Sequence, residues 1–273
     1  MPPEPREAAA TPDTRMGSAV ADRRIAIGID VGGSAIKGGA VDVDAGLVIG
    51  ERLKVPTPQP STPSAVVEAI RGLVELAAAD AGRDALVGVG VPSVVIEGVS
   101  WTAANIDQGW VGFHIETALG DALGRPVTVL NDADAAGIAE MRFGAGRGRN
   151  GVVLILTLGT GVGSALFVDG RLVPNTELGH MEIRGRDAEK RSAAVARVRD
   201  RESWNAWAAD LDEHLTAIDR ILWPGLIILG GGVSRDADQF VPLLTIRPPI
   251  VPATLRNDAG TVGAAMAAIE HER

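Results

Sequence analysis

Residues 25–39 read IAIGIDVGGSAIKGG. An apolar run with the spacing of a buried strand reaches Asp30, breaks at Gly32-Gly33 and resumes as AIKGGAVDVD, which predicts a strand, a tight glycine hairpin and a returning strand. LVIGERLKV, from Leu47, continues it as a third strand. The same pattern restarts at residues 152–164, VVLILTLGTGVGS, and continues into ALFVDG. A unit of strand, glycine hairpin and strand therefore occurs twice without an obvious sequence repeat. Duplicated topology of this kind predicts two α/β domains with a cleft between them.

Between the two units, STPSAVVEAIRGLVELAAA (61–79) carries apolar residues at helical spacing behind Ser, Thr and Pro start signals. LVGVGV (86–91) and PVTVLN (126–131) read as buried strands, and ADAAGIAEMRF reads as a short helix. Farther on come a basic helical stretch over roughly 187–201 and a long helix over about 203–223. A strand, LIILGGG (226–232), and a last helix over 259–271 close the pattern.

Bulk composition narrows the function. The 273 residues suffice for one large or two modest domains, and hydrophobic content of 46% is that of a globular chain. A net charge of -9 with 3% aromatics argues against nucleic acid as a partner. No apolar run is long enough to span a membrane. The absence of cysteine excludes disulfides, a thiol nucleophile and cysteine-ligated zinc, and it fits a reducing cytoplasm. Residues 1–22, rich in Pro and Ala, are expected to form a disordered tail, with Met16 as an alternative start.

Three glycine turns could hold a ligand. In the first, Gly32 and Gly33 let backbone approach a phosphate, Ser34 adds a hydroxyl, and Asp30 could hold hydrated Mg²⁺. The second, TLGTGVGS, alternates Thr hydroxyls with Gly159, Gly161 and Gly163. The third, LGGGVS, exposes Gly230, Gly231 and Gly232. Taken singly, the first reads better as a plain hairpin with a glycine turn. None is a Walker A loop, and none is a good dinucleotide fingerprint. NDADAAG (131–137) poses a similar choice: Asn and Asp at a strand end are either helix caps or the site of a catalytic carboxylate.

All three turns in this order, with NDADAAG between the first two, resemble the actin-like (ribonuclease H-like) sugar kinases, and within them the ROK family, over about residues 24–271. The resemblance implies an α/β, two-domain fold with a central cleft. Residues 23–130, joined by the C-terminal helix 259–273, would form one domain and 131–258 the other. It implies donor phosphates on Asp30, Gly32, Gly33, Ser34 and Lys37 and on Gly159, Thr160, Gly161 and Gly163, with adenosine on Gly230, Gly231 and Gly232. Asp132 would be the base and Asn131 a sugar contact, which leaves Asp134 for the helix start. Glu177 and His180 of ELGH would hold the sugar with Asn105 and a later glutamate, Glu189, for which Glu182 is the competitor.

The segment after ELGH, together with LVPNTELGH, PPIVPATLRNDAGTVGAAM and TAANID, resembles the polyphosphate glucokinases and polyphosphate/ATP glucomannokinases. That branch implies glucose as acceptor, polyphosphate or ATP as donor, Mg²⁺, no structural zinc, a cytoplasmic location and a homodimer. Arg184, Arg186, Lys190, Arg191, Arg197, Arg199 and Arg201, with Arg142, Arg147 and Arg149, could guide a polyanion. The alternative is a solvated face paired with Asp187, Glu189, Asp200 and Glu202. Two departures from the branch stand out: Ser93 after Pro92, near the expected sugar site, and Gln108 near the cleft mouth, where relatives often carry Lys. Rival readings are an ATP-only glucokinase, a kinase for another hexose such as mannose, and a silent sugar sensor.

Overall fold

A computed structural model describes residues 23–104 and 106–271. The expected tail at 1–22, Asn105 and residues 272–273 lie outside the described residues. The first sheet contains β1 (Ile25–Val31), β2 (Ala35–Asp42), β3 (Leu47–Pro56), β4 (Val87–Val91) and, farther along, Val127–Asn131, with β3 at one edge. The first three strands pair antiparallel, and β1, β4 and Val127–Asn131 pair parallel. Helix α1 (Pro63–Ala81) starts on Thr62, whose Oγ1 accepts the Ala65 N–H, and Pro63 fits the first turn, where no N–H partner is needed. It buries Val66, Ile70, Leu73, Val74 and Ala77 against this sheet. Two short strands, β5 (Val95–Ile96) and β6 (Val99–Ser100), form a ribbon before α2 (Ile115–Leu123). The periodicity reading missed α2, a nine-residue helix that buries Ile115 and Leu119 and ends on left-handed Gly124.

Strand β7 (Val127–Asn131) runs without a loop into α3 (Asp132–Phe143). The second sheet repeats the first. Here β8 (Val152–Leu158), β9 (Val162–Val168) and β10 (Arg171–Val173) pair antiparallel. After a small hairpin of β11 (Glu182–Ile183) and β12 (Arg186–Asp187) come α4 (Glu189–Ser192), α5 (Ala194–Arg199) and α6 (Trp204–Leu222). The sheet is completed by β13 (Leu226–Gly230) and, after α7 (Ala237–Phe240), by β14 (Ile250–Pro252), both parallel to β8. The strand orders β3-β2-β1-β4-β7 and β10-β9-β8-β13-β14 follow the same path through each sheet, so the duplication read from the two hairpins holds at the level of topology.

The expected basic helix over 187–201 is broken. Arg184 and Arg186 belong to the β11–β12 hairpin, and Ala193, extended at φ -65° and ψ 150°, separates α4 from α5. The break lets Trp207 of α6 donate its indole N–H to the Ala193 carbonyl at 3.1 Å. Trp207 also packs edge-on against Phe240, which stacks on Trp204, and these rings seal the second core.

Helix α8 (Ala259–His271), rich in Ala and Gly, lies on β1 and β4 and packs against α3, which also touches β9 of the second sheet. The approach is too close for side chains. A Cβ on Gly28 would fall 1.9 Å from the Thr261 carbonyl oxygen, and one on Gly88 1.8 Å from that of Ala264. The start of α3 meets α8 as closely, since a Cβ on Gly263 would fall 1.6 Å from the Ala135 carbonyl oxygen.

Candidate active site

A cavity of about 510 Å³ opens there. Its floor is the β7–α3 junction. Asn131 is extended, and its Oδ1 accepts the N–H groups of Ala133 and Asp134 at 2.9 and 3.1 Å. Asn131 is therefore the helix cap, a role the sequence reading gave to Asp134. Asp134 instead lies inside the first turn and accepts the Asn175 N–H at 2.8 Å. The Asn175 side chain in turn pairs with both N–H and C=O of Val95, at 2.9 Å each, and so ties β5 to the segment that leads to Glu177. The Asn131 amide donates to the Ser93 carbonyl at 3.2 Å, which leaves one N–H for a cavity ligand.

Capping by Asn131 leaves Asp132 free to face the cavity. Burial, together with the negative charges of Asp30, Glu177 and Asp134, pushes its carboxyl up to about 7, against the Ala133 N–H that stabilises the anion. Burial also pushes Asp134 up to about 7, with the Glu177 charge adding to it. Glu177 is raised mainly by burial. A carboxylate poised near neutrality in a cleft is suited to taking a proton.

Glu177 and His180 line the same cavity, with Glu177 Oε2 3.6 Å from His180 Nε2. His180 Nδ1 lies 3.1 Å from Asp187 Oδ2. The carboxylate can only accept, so Nδ1 donates to it, and Nε2 is the ring nitrogen turned toward Glu177 and a cavity ligand. Buried His214 supports this turn from below: its Nε2 donates to the Leu178 carbonyl at 2.9 Å, and Nδ1 accepts from the Ser192 hydroxyl at 2.8 Å. Burial lowers its pKa, in keeping with that neutral tautomer. Asp187→Ala is expected to raise the KM for the sugar about three- to tenfold with a smaller change in kcat. Sugar saturation curves at a fixed, saturating donor would show it, and equal KM values would remove Asp187 from this role.

Of the two candidate glutamates, Glu189 lines the cavity and Glu182 does not. Glu189 is buried, and its Oε2 accepts the Val162 N–H at 3.0 Å, so it also fixes the second glycine turn. The turns lie as the sequence suggested. A Cβ on Gly33 would sit 3.6 Å from Thr160 Oγ1, so the first and second turns face each other. Gly32, Ser34, Lys37, Gly159, Gly161, Gly163 and Gly230–Gly232 also line the cavity. Lys37 Nζ lies 3.2 Å from Asp30 Oδ2. Gly231 holds φ 83° against the Leu158 backbone, a position closed to any side chain.

Several expectations need correction. Ser93 does not reach the cavity. It is buried, and its hydroxyl bonds to Ser100 Oγ at 2.6 Å and to the Thr102 carbonyl at 2.9 Å. Gln108 spends its amide on the Ala103 carbonyl, away from the cavity. None of the arginines proposed for a polyanion path lines the cavity. Arg184 and Arg191 both bind Glu213, Arg191 also pairs with Asp210, Arg199 pairs with Asp200, and Arg197 lies over the Trp204 ring. Acids of α6 thus pair with Arg184 and Arg191, whereas Arg199 and Lys190 pair with their sequence neighbours Asp200 and Glu189. Arg142 and Arg147 border a separate depression beside Asp44. The reading from sequence missed Lys54, Arg256, Asn257 and Glu140 in the cavity wall. Lys54 could have been found from hairpin register, since it stands opposite Lys37. Nothing local marks Arg256.

Residues 26–198 match the ROK family. The chain belongs to the ROK family. Among ROK relatives, it is 48% identical to a polyphosphate glucokinase of Mycobacterium tuberculosis over 94% of this chain and 96% of that protein. Among solved ROK-like structures, it matches an inorganic polyphosphate/ATP-glucomannokinase from Arthrobacter sp. strain KM with a TM-score of 0.88 and 50% identity, covering 90% of this chain and 99% of that one. A ROK family glucokinase from Streptomyces griseus, solved with glucose and AMPPNP, matches with a TM-score of 0.78 and 25% identity over 90% of this chain and 99% of that one. The fold is thus that of the ROK sugar kinases. Among the described residues, no helix is long and apolar enough to cross a membrane.

Proposed function

We propose that the protein transfers a phosphoryl group from inorganic polyphosphate, and also from ATP, to the 6-hydroxyl of glucose. The observation that carries this reading is the single cavity in which Asp132, poised near neutrality, stands with the Glu177–His180 pair and two opposed glycine turns. The polyphosphate glucokinase and glucomannokinase relatives support the choice of donor and sugar.

Glucose binds through Glu177, His180 Nε2 and the free Asn131 N–H, and Glu189 completes that end. Donor phosphates rest on Gly32–Ser34 and on Gly159–Gly163. The sugar oxygen attacks the terminal phosphorus, the bond to the rest of the donor breaks, and the shortened donor leaves with the electron pair. Asp132 takes the hydroxyl proton as the new bond forms. Lys37 offsets negative charge on the donor. Asp30 is a single carboxylate beside the first turn, which fits Mg²⁺ bound largely through water, and the ion would neutralise donor phosphates. Residues 23–130 with the last helix, and 131–258, act as two lobes whose closure excludes water. A cytoplasmic homodimer belongs to the same reading, as the family resemblance implies.

The test is glucose 6-phosphate formation by the purified protein with Mg²⁺, given long-chain polyphosphate or ATP in separate reactions. Turnover with polyphosphate is expected. Turnover with ATP alone would make the protein an ATP-only glucokinase, and no product from either donor would shift the search to mannose and other hexoses.

A further inference from the structure

We infer that Lys54 and Arg256 form a second anion subsite, beyond the glycine turns, which holds the distal phosphates of a polyphosphate chain and favours that donor over a nucleotide. The inference rests on the function proposed above.

Asp30 stands opposite Lys37 in the β1–β2 register, and Lys37 stands opposite Lys54 in the β2–β3 register. Directly opposed residues of antiparallel strands share a face, so the three form one row across the sheet. All three line the cavity. Like charges placed opposite each other repel, and Asp30 relieves only the inner lysine. Among the described residues, Lys54 has no acidic partner. It lies on the edge strand, at the outer end of the row.

A second segment brings another cation to the same end. Arg52, two residues before Lys54, donates to the carboxylate of Asp258 through Nε, at 3.0 and 3.3 Å, and through Nη2, at 2.9 Å. Buried Glu140 accepts the N–H groups of Thr254 and Leu255 at 3.1 and 2.7 Å. Between these two clamps, the turn at 256–258 presents Arg256 and Asn257 to the cavity. Arg256 holds φ 53°, an uncommon conformation for a residue other than glycine. It too has no acidic partner among the described residues. The carboxylates Asp132, Glu177 and Glu189 lie with the sugar-binding groups, whereas Lys54 and Arg256 bring two cations to the wall that they share with Glu140, whose carboxylate is taken up by backbone N–H groups.

Donor chemistry separates the candidates for that wall. Behind its phosphates, ATP carries an uncharged ribose and base. Polyphosphate continues there with roughly one further negative charge per unit. Cations beyond the turns therefore reward the second donor and not the first.

The measurement compares the full-length protein with Lys54→Gln, Arg256→Gln and the double variant. Initial rates of glucose 6-phosphate formation are taken with long-chain polyphosphate and with ATP, on the same preparations and at saturating glucose and Mg²⁺. The ratio of kcat/KM for polyphosphate to that for ATP is expected to fall about tenfold in each single variant, through KM, as for loss of one charged contact. Lys54→Arg should keep the ratio within about twofold. Partial misfolding lowers both rates and cancels in the ratio. An unchanged ratio in variants of a protein that turns over polyphosphate would overturn the subsite alone, and so would a larger loss with ATP. A wild-type protein that uses ATP and not polyphosphate would overturn the donor reading and the subsite together.

Discussion

Asp132→Asn is expected to lower kcat by about 10²–10⁴-fold while the glucose dissociation constant changes by less than about threefold. The amide keeps the shape and the contact with the Ala133 N–H but cannot take a proton. In the parent, the base works only when ionised, and its carboxyl titrates at about 7. The parent kcat/KM should therefore fall about tenfold per pH unit on the acid side of neutrality, and this limb should vanish in the variant. Stability should move the other way. The folded state holds the Asp132 proton up to about pH 7, whereas an exposed Asp loses it near 3.8, so this carboxyl weakens the fold progressively as pH rises between those values. At pH 8 the variant should be more stable than the parent, by at most about 4 kcal/mol for a shift of this size. Denaturant midpoints at pH 5 and 8 would measure it. A variant that loses glucose binding with intact turnover per bound sugar would remove Asp132 from the role of base.

Gly260→Ala is the second large effect, and it should fall on activity rather than on folding. A Cβ at Gly260 would lie 2.6–2.9 Å from the carboxylate atoms of Asp30. That carboxylate is the free end of a side chain, so it can swing aside, and alanine favours the helix by up to about 1 kcal/mol. The swing breaks the 3.2 Å contact with Lys37 and moves the carboxylate near the end of β1, beside the first phosphate turn. A displacement near 1 Å at such a position costs about 10²-fold in turnover. Thermal melting should stay within a few degrees, and activity should need more Mg²⁺. A variant with parental kcat and Mg²⁺ dependence would show that Asp30 has no part in the donor site.

Much of the chemistry was legible because it sits in contiguous turns. Gly32–Ser34, Gly159–Gly163 and Gly230–Gly232 are each contiguous in the chain, Gly231 meets a backbone requirement that glycine alone meets cheaply, and Asp132 stands at a strand end that the apolar pattern marks. The errors arose where the outcome depends on a partner distant in sequence. Asn131 and Asp134 are equally good caps by residue type, and the choice was made by Asn175, whose N–H engages Asp134. Within the arginine run, Arg184 and Arg191 meet Asp210 and Glu213 of α6, partners that lie well beyond the run in sequence. Ser93 looked like a pocket residue until its hydroxyl was found between Ser100 and Thr102.

Sequence alone marked the duplicated α/β topology and the three glycine turns, because apolar periodicity and glycine spacing are local signals, whereas the roles of Asp132 and of the ELGH pair came from the family resemblance. Only the tertiary structure decided which carboxylates are shared with backbone, which cations remain unpaired and which residues meet at one cavity. Charge pairing and burial depend on distances across strands and between segments, such as Lys54 with Lys37 and Arg52 with Asp258, and chain order does not carry those distances.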